Sequence, residues 1–202
     1  MSDSRTDEQL LSAHKAGDSQ ALPCLIHRYS RELHTFLARF VGNAATAEDL
    51  VQDVFVQVHT SADTFDLSRR LKPWLYTIAA NKARDFLRSR RRRGDISLSA
   101  SADSDYRQDP LERLGVDDRA PTDSLEEQER AAQVRRLIQS MPEHLQMILL
   151  MGYYQQMPYA EIAEALEIPI GTVKSRLHAA VQHFAKLWHE NEPAPDKAVS
   201  KP

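Results

Sequence analysis

Apolar residues recur three and four positions apart along most of the chain, the spacing that lines one face of an α-helix. In the first half, this pattern predicts four helices, at residues 7–16, 19–41, 46–60 and 73–93. Gly17 and Gly42 follow the first two helices as stops. Thr46 and Asp49 form a capping-box pattern at the start of the third, and Pro73 suits the first turn of the fourth. The protein is therefore predicted to be all-α.

A second group of helices is predicted from Leu125 onward, ending in two helices joined by a short turn over residues 158–188. The first of these two has an apolar stripe, made of Ile162, Ala163 and Leu166. The second is predicted to bury four residues spaced four, four and three apart, namely Val173, Leu177, Val181 and Phe184. This arrangement is typical of a helix-turn-helix. A non-glycine residue, Glu167, stands at the turn, where a left-handed conformation costs about 1 kcal/mol.

The outward face of the last helix presents hydrogen-bonding side chains at its centre and cations at its edges. The central residues are Ser175, His178 and Gln182, and the flanking cations are Lys174 and Arg176. This order suits the DNA major groove, where base edges lie between two rows of phosphates. A charged face on an amphipathic helix is also commonly just solvated, so this segment alone leaves a purely structural role open.

Length and composition limit the possible classes of protein. A chain of 202 residues suffices for one large or two small domains. No apolar run approaches the roughly 20 residues that span a bilayer, and the polar, acidic N-terminus is unlike a signal peptide. We therefore expect a cytoplasmic protein without membrane insertion. The single cysteine, Cys24, excludes an internal disulfide and is interpreted as a core residue.

Charge is segregated along the chain, although the net charge is only −3. Residues 82–93 carry seven basic side chains against one acid, a balance of +6. Residues 94–124 carry eight acids against three arginines, a balance of −5, together with two prolines. The sequence thus predicts an N-terminal helical domain (1–93), a flexible acidic linker (94–124), a C-terminal helix-turn-helix domain (125–189) and a disordered tail (190–202).

The third helix carries a polar face that is open to several interpretations. The residues on this face are Asp49, Gln52, Asp53 and Val56. Carboxylates four residues apart can hold a divalent metal, but such sites need converging ligands from a second helix, and no matching acidic repeat occurs. The eight histidines also lack metal-binding spacing. We expect no metal or other cofactor, and the face is either simply solvated or a docking surface for a basic partner.

The loop before the fourth helix and that helix itself combine aromatic and cationic residues. The set consists of Phe65, Lys72, Trp74, Tyr76, Asn81, Lys82, Arg84, Phe86 and Arg88. Core packing explains much of the aromatic content. Proteins that bind single-stranded DNA use the same mixture, because cations follow the phosphate backbone while aromatic and amide groups receive unstacked bases.

Three segments occur together and in order: AEDLVQDVFVQVH, KPWLYTIAANKARDFLRSRRRR and MPEHLQMILLMGYYQQMPYAEIAEALEIPIGTVKSRLHAA. They resemble the bacterial sigma factors of the short extracytoplasmic-function (ECF) type, which have only the second and fourth conserved regions of larger sigma factors. The resemblance covers residues 7–186. It implies a factor that binds core RNA polymerase, directs it to specific promoters and helps to melt the −10 element. It implies no catalytic chemistry.

The resemblance also implies roles for the residues named above. The surface that docks onto the β′ clamp helices of the polymerase consists of Asp49, Gln52, Asp53 and Val56. The β subunit of the polymerase is expected to contact the chain as well. Reading of the −10 element falls to the loop at residues 62–71 and the next helix, through Phe65, Lys72, Trp74, Asn81, Lys82, Arg84 and Arg88. Contact with the −35 element falls to Thr172, Lys174, Ser175, Arg176, His178 and Gln182.

The resemblance also implies binding partners, and two alternative functions compete with it. The expected partners are core polymerase, promoter DNA and an anti-sigma factor, and the acidic linker is expected to enter the polymerase channel later used by RNA. A free-standing helix-turn-helix regulator is the main alternative, but it would need a dimerisation element that the first ninety residues do not show. A metal-dependent enzyme built on Asp49 and Asp53 would lack a second set of ligands.

Overall fold

The computed structural model describes residues 4–94 and 125–191, and these residues form helices without strands. The eight α-helices are α1 (Asp7–Lys15), α2 (Ala21–Val41), α3 (Ala44–Ser61), α4 (Leu71–Arg93), α5 (Leu125–Ser140), α6 (Glu143–Leu149), α7 (Tyr159–Leu166) and α8 (Ile170–Asn191). A 3₁₀ turn, Ala62–Thr64, follows α3, and a π-helical turn, Leu150–Tyr154, continues α6. The predicted all-α fold is confirmed. Residues 95–124 of the predicted linker and 192–202 of the predicted tail lie outside the described residues.

Some helices begin or end at residues other than the predicted ones, because capping residues rather than hydrophobic periodicity define their ends. Thr46 does not cap α3; the side chain of Asn43 does so, accepting a hydrogen bond from the Thr46 N–H at 2.8 Å. Asparagine is among the best N-cap residues, so α3 starts before the predicted threonine. Gly42, just before it, ends α2 in the left-handed conformation with φ 79°. At the other end of the chain, α8 continues to Asn191, two residues past the predicted domain boundary.

Helices α2, α3 and α4 form the core of the first half of the chain. Phe36 and Tyr76 are fully buried between them, with their ring centroids 5.2 Å apart at 61°. The Tyr76 hydroxyl donates to Glu32 at 2.8 Å, so this buried polar group is satisfied. Burial, and then the charge of Glu32, raises the pKa of Tyr76 far above that of free tyrosine. The tyrosine therefore remains a neutral donor at any physiological pH.

The second half of the chain packs onto the first and extends the same hydrophobic core. Helix α7 lies against α4, and the π-helical turn and α5 meet α2. The first ten residues of α4 are buried or half-buried on every side, which a helix packed on one side only would not be. The Arg39 guanidinium also lies 4.2 Å from the ring centroid of Tyr154. The two groups of helices therefore form one compact unit in this structure.

Gln146 is a buried polar residue at this junction, with only 4% of its surface exposed. Its side-chain nitrogen donates to the backbone oxygens of Arg39 and Phe40, at 3.3 and 3.1 Å. These carbonyls belong to the last turn of α2, where no amide of the same helix can reach them. Gln146 in α6 therefore caps the end of α2 across the junction between the two halves.

Replacing Gln146 with methionine, which has a similar shape but no donor, should loosen the junction. Leaving buried carbonyls unpaired costs about 1–3 kcal/mol. We expect a broader distance distribution between spin labels at Ala45 and Ala185, both exposed, in a Cys24→Ser background. Gln182→Met on the exposed face of α8 is the matched control. If both variants keep the parental distribution, Gln146 does not hold the halves together.

Candidate nucleic-acid interface

Helix α8 presents most of its predicted DNA-contacting residues to solvent. Lys174, Ser175, His178 and Gln182 are exposed, whereas Thr172 and Arg176 are half-buried. The His178 and Gln182 side chains are linked one turn apart by a hydrogen bond of 2.9 Å between their Nε2 atoms. Ser175 Oγ donates to the carbonyl of Thr172 at 3.1 Å. The helix thus has a continuous polar ridge, as the sequence predicts.

The buried face of the helix-turn-helix is slightly rotated from the predicted one. Val173 and Leu177 are buried as expected, but Val181 is 39% exposed and Ala180 is fully buried in its place. At 100° per residue, Ala180 lies about 40° from the midpoint between Val173 and Leu177, on the side of Val173, whereas Val181 lies about 60° from it on the opposite side. Phe184 is half-buried. The buried face of α7 also differs from the predicted one: Ile162 and Ala165 are buried, whereas Ala163 and Leu166 are half-buried.

The turn of the helix-turn-helix forms without glycine. Glu167 adopts the left-handed conformation with φ 54° and ψ 43°, as predicted for this position. Its N–H donates to the Glu164 carbonyl at 3.3 Å, and the Ile168 N–H donates to Ala163 at 3.0 Å. These bonds satisfy the last carbonyls of α7 and offset the cost of the left-handed residue. Pro169 then prevents the helix from continuing.

The loop and α4 bring the predicted aromatic residues together. The rings of Phe65 and Trp74 lie 4.6 Å apart, with Phe65 6% exposed and Trp74 half-buried. Asn81 lies two turns after Trp74, on the same side of α4, and is exposed. Its side-chain oxygen is 3.5 Å from an Arg84 nitrogen. One surface of α4 therefore carries Asn81 and Trp74, whose ring packs against that of Phe65.

The loop itself is folded by a local hydrogen bond. Asp66 accepts from the Ser68 N–H at 2.9 Å. This bond to the backbone, joined by one from the Ser68 side chain, lowers the pKa of Asp66. The carboxylate is therefore kept in the charged form that holds the turn.

Lys72 lies apart from the other residues predicted to read the −10 element. Two residues before Trp74, it points to the far side of α4. Its ammonium pairs with Glu32 at 2.7 Å and lies 5.9 Å from the Tyr76 ring centroid. Lys82 is half-buried, and Arg88 pairs with Asp85 at 3.4 Å on the exposed side. Lys72 therefore contacts α2, and Lys82 and Arg84, two residues apart, point to opposite sides of α4.

The cations of the loop and α4 also meet carboxylates of the second half of the chain. Arg69 donates twice to Glu164, at 3.0 and 2.7 Å, and Arg70 pairs with Glu161. Further along α4, Glu143 lies 3.7 Å from Arg84 and 4.0 Å from Arg91. Sequence reasoning missed these pairs. The spacing of Glu161 and Glu164, three residues apart on one side of α7, was the available signal.

The predicted docking face on α3 is open. Asp49, Gln52 and Asp53 are exposed, and Val56 is 62% exposed, the highest value among the large apolar residues described. Within residues 4–94 and 125–191, the three polar side chains have neither an ion-pair nor a hydrogen-bond partner. The same ranges contain no group of three or more side chains able to hold a metal ion. No helix within them is long and apolar enough to cross a membrane.

A helix-turn-helix with a polar ridge, together with a basic helix beside paired aromatic rings, defines a helical nucleic-acid-binding protein. Comparisons with known proteins agree. The chain matches the family "Sigma-70 region 2" over residues 25–93 and "Sigma-70, region 4" over residues 124–184. It is 30% identical over 180 residues to the ECF RNA polymerase sigma-E factor of Escherichia coli K12, covering 89% of this chain and 93% of that protein.

Two further relatives extend the comparison. The ECF RNA polymerase sigma factor SigW of Bacillus subtilis is 29% identical over 172 residues, 85% of this chain and 91% of that protein. The solved sigma factor RpoE of Bartonella quintana, in complex with the anti-sigma factor NepR, shares the fold. Its TM-score is 0.61, at 22% identity, over 82% of this chain and 95% of that one.

This chain belongs to the ECF sigma factors of bacterial RNA polymerase. It is a promoter-directing transcription initiation factor, and a free-standing helix-turn-helix regulator is not favoured.

Proposed function

We propose that the three surfaces described above divide the work of promoter recognition. The α3 face docks on core polymerase, the loop with α4 captures the −10 element, and α8 lies in the major groove of the −35 element. The observation that carries this division is the exposure of each surface's central groups: Val56 on α3, Asn81 on α4 and His178 on α8.

Docking on polymerase is supported by the charge and exposure of the α3 face. Asp49 and Asp53 lie two turns and one turn before an exposed apolar residue, Val56, on the same side of α3, and Gln52 lies beside them. Carboxylates next to an exposed apolar residue suit a basic helical partner, because the charges set the register while the apolar contact is desolvated. The β′ clamp helices are the proposed partner of this face, and the β subunit is proposed as a further contact of the chain.

Capture of the −10 element is supported by the aromatic pair and the amide beside it. An unpaired base stacked against Trp74 would lie on the same side of α4 as Asn81, which can both donate to and accept from its edge. Lys82, Arg84 and Arg88 would hold the phosphates. Extrusion of a base costs a few kcal/mol, which these contacts offset in part.

The ion pairs between α4 and the second half of the chain affect capture of the −10 element. Arg84 faces Glu143, so its contact with a phosphate requires that carboxylate to move away. Arg84 and Glu143 are both half-buried and their closest atoms are 3.7 Å apart, so exchange of the carboxylate for a phosphate replaces one ionic contact of Arg84 with another. We therefore propose that the halves separate when the promoter is bound.

Helix α8 is proposed to make two kinds of contact with the −35 element, one with phosphates and one with a base. Arg176→Ala should weaken binding on every −35 sequence and lower the slope of log K against log salt by about 0.9, because one phosphate contact is lost. His178→Ala should instead lower discrimination at one base pair, by about 1–3 kcal/mol. Fluorescence anisotropy of the holoenzyme on a panel of duplexes, at several salt concentrations, separates the two. Equal effects of both variants on all sequences would contradict this assignment.

The remaining partners and the absence of chemistry are also proposals. The sigma factor RpoE of Bartonella quintana is bound by an anti-sigma factor, and we propose that this chain has one as well. We assign it no catalytic group and no cofactor, so it acts through binding alone. Its work with polymerase and the chromosome takes place in the cytoplasm.

Reconstituted transcription tests the function as a whole. Purified chain and bacterial core polymerase are combined on fragmented genomic DNA, and RNA 5′ ends are sequenced. We expect starts that share two spaced upstream motifs and that are absent with core polymerase alone. If no such starts appear and the chain does not bind core polymerase, a free-standing DNA-binding regulator becomes the better explanation.

A further inference from the structure

Helix α1 spans the two ends of the loop that precedes α4. At one end, Lys15 Nζ lies 3.4 Å from the carbonyl oxygen of Asp63 and 3.5 Å from that of Phe65. At the other end, the Glu8 carboxylate accepts from the N–H of Leu71 at 3.0 Å. Glu8 and Lys15 are seven residues apart, about 10 Å along the helix and on the same side. One nine-residue helix therefore contacts both ends of the loop.

The contact from Glu8 replaces a cap that α4 does not have. Arg70 occupies the N-cap position, and its side chain makes no capping hydrogen bond. The first amides of a helix lack partners within it, and its N-terminus attracts negative charge. Glu8 meets both needs at Leu71, the first residue of α4. The carboxylate thus fixes the point at which the loop becomes helix.

Helix α1 is itself held firmly. Leu10 and Leu11 are fully buried, and Leu11 lies between Glu8 and Lys15 on the side that faces the loop. Asp7 pairs with Arg28 and accepts from the Tyr29 hydroxyl, both on α2. Burial, and then this hydrogen bond, raises the pKa of Tyr29 far above its usual range.

Two further contacts place α1 in this position. Arg5 pairs with Asp18 at 2.8 Å, and His14 is hydrogen-bonded at 2.9 Å to His59, in the last turn of α3 before the loop. These contacts stabilise α1 beside α2 and α3, whereas Glu8 and Lys15 make its polar contacts to the loop.

We propose that Glu8 and Lys15 are positioning residues for recognition of the −10 element. They hold the backbone on either side of Phe65, whose ring supports Trp74, and so set the geometry of the surface that receives the unpaired base. This inference rests on the proposed −10 role of the loop and α4. Neither residue touches DNA in it, and both lie before residue 25, where the match to "Sigma-70 region 2" begins.

The test compares two double variants of the full-length factor in holoenzyme. Glu8→Met with Lys15→Met removes the acceptor and the donor of the contacts to the loop, and with them one negative and one positive charge. The control, Arg5→Met with Asp7→Leu, removes the same charges from the contacts to Asp18 and α2. The readout is discrimination: the ratio of affinities for a −10 single strand carrying the preferred base and one carrying a substituted base. Thermal unfolding is measured in parallel.

We expect the Glu8/Lys15 variant to lower the discrimination ratio about fivefold, the factor that corresponds to loss of one helix cap. The Arg5/Asp7 control should lower the melting temperature at least as much and keep the ratio, since buried Leu10 and Leu11 keep α1 docked and Glu8 and Lys15 still contact the loop. A ratio that falls equally in both variants, or in neither, overturns the positioning role.

Asn81→Ala distinguishes failure of this inference from failure of the proposed function. If Asn81→Ala lowers discrimination while the Glu8/Lys15 variant does not, the loop and α4 read the −10 element without help from α1. If Asn81→Ala and Phe65→Ala both leave discrimination unchanged, the −10 assignment is wrong and the positioning role fails with it.

Discussion

Replacing Asp53 with arginine is expected to abolish stable holoenzyme formation. The residue is exposed on α3, next to Asp49 and one turn before Val56, and its carboxylate has no partner among the described residues. A like charge placed against a basic partner costs several kcal/mol, so the dissociation constant for core polymerase should rise by roughly 30-fold or more. Fluorescence anisotropy of a labelled factor titrated with core polymerase measures this directly.

The matched control for this variant is Glu129→Arg, which makes the same charge change at an exposed position of α5. Its affinity for core polymerase should stay within about twofold of the parent, because surface changes away from an interface have small effects. Far-ultraviolet circular dichroism of both variants excludes unfolding as the cause. If Asp53→Arg and Glu129→Arg bind equally well, the α3 face is a solvated surface and the docking assignment fails.

Asn81→Ala should impair promoter opening about tenfold while leaving binding to the −35 duplex unchanged. Loss of one or two hydrogen bonds to an unpaired base accounts for a change of this size. Asn81 is exposed on α4, far along the chain from α8, so the −35 contacts do not depend on it. Permanganate reactivity of unpaired thymines reports opening, and anisotropy on a −35 duplex reports the other contact.

His178→Ala is the reciprocal control for Asn81→Ala, since it should affect the −35 duplex and spare opening once the promoter is bound. A template with an already unpaired −10 region sharpens the test. On it, the Asn81 variant should still bind but should no longer distinguish the preferred base from others. Full discrimination by Asn81→Ala on this template would show that another group reads the base.

Local patterns were enough to predict the helices and most of the exposed residues on α3 and α8. The run from Ile162 to Leu177 predicts two packed helices, because residues that share a face also share a core. The left-handed conformation of Glu167 is predicted from its position in the short turn, and its φ and ψ angles confirm the prediction. The exposed polar ridge of α8 follows from the same periodicity. These features depend on neighbours within about two turns, which a sequence displays directly.

Features that depend on contacts between distant segments could not be predicted. Gln146 looks like an ordinary polar residue until the end of α2 is placed against it, 106 residues earlier in the chain. Glu8 likewise has no local partner that would reveal it as the cap of α4. The rotation that buries Ala180 rather than Val181 depends on how α6 and α7 meet α8. Spacing alone does not define such a rotation, because both residues lie near the same face.

The pairing of Arg69 and Arg70 with Glu164 and Glu161 has a consequence for the order of assembly. In the compact arrangement, the carboxylates of α7 take the place that phosphates would occupy, while Val56 and its neighbours on α3 stay uncovered. We therefore expect polymerase to dock on the closed factor first. A phosphate must displace the α7 carboxylates before it pairs with Arg69 or Arg70, so the promoter is expected to bind second.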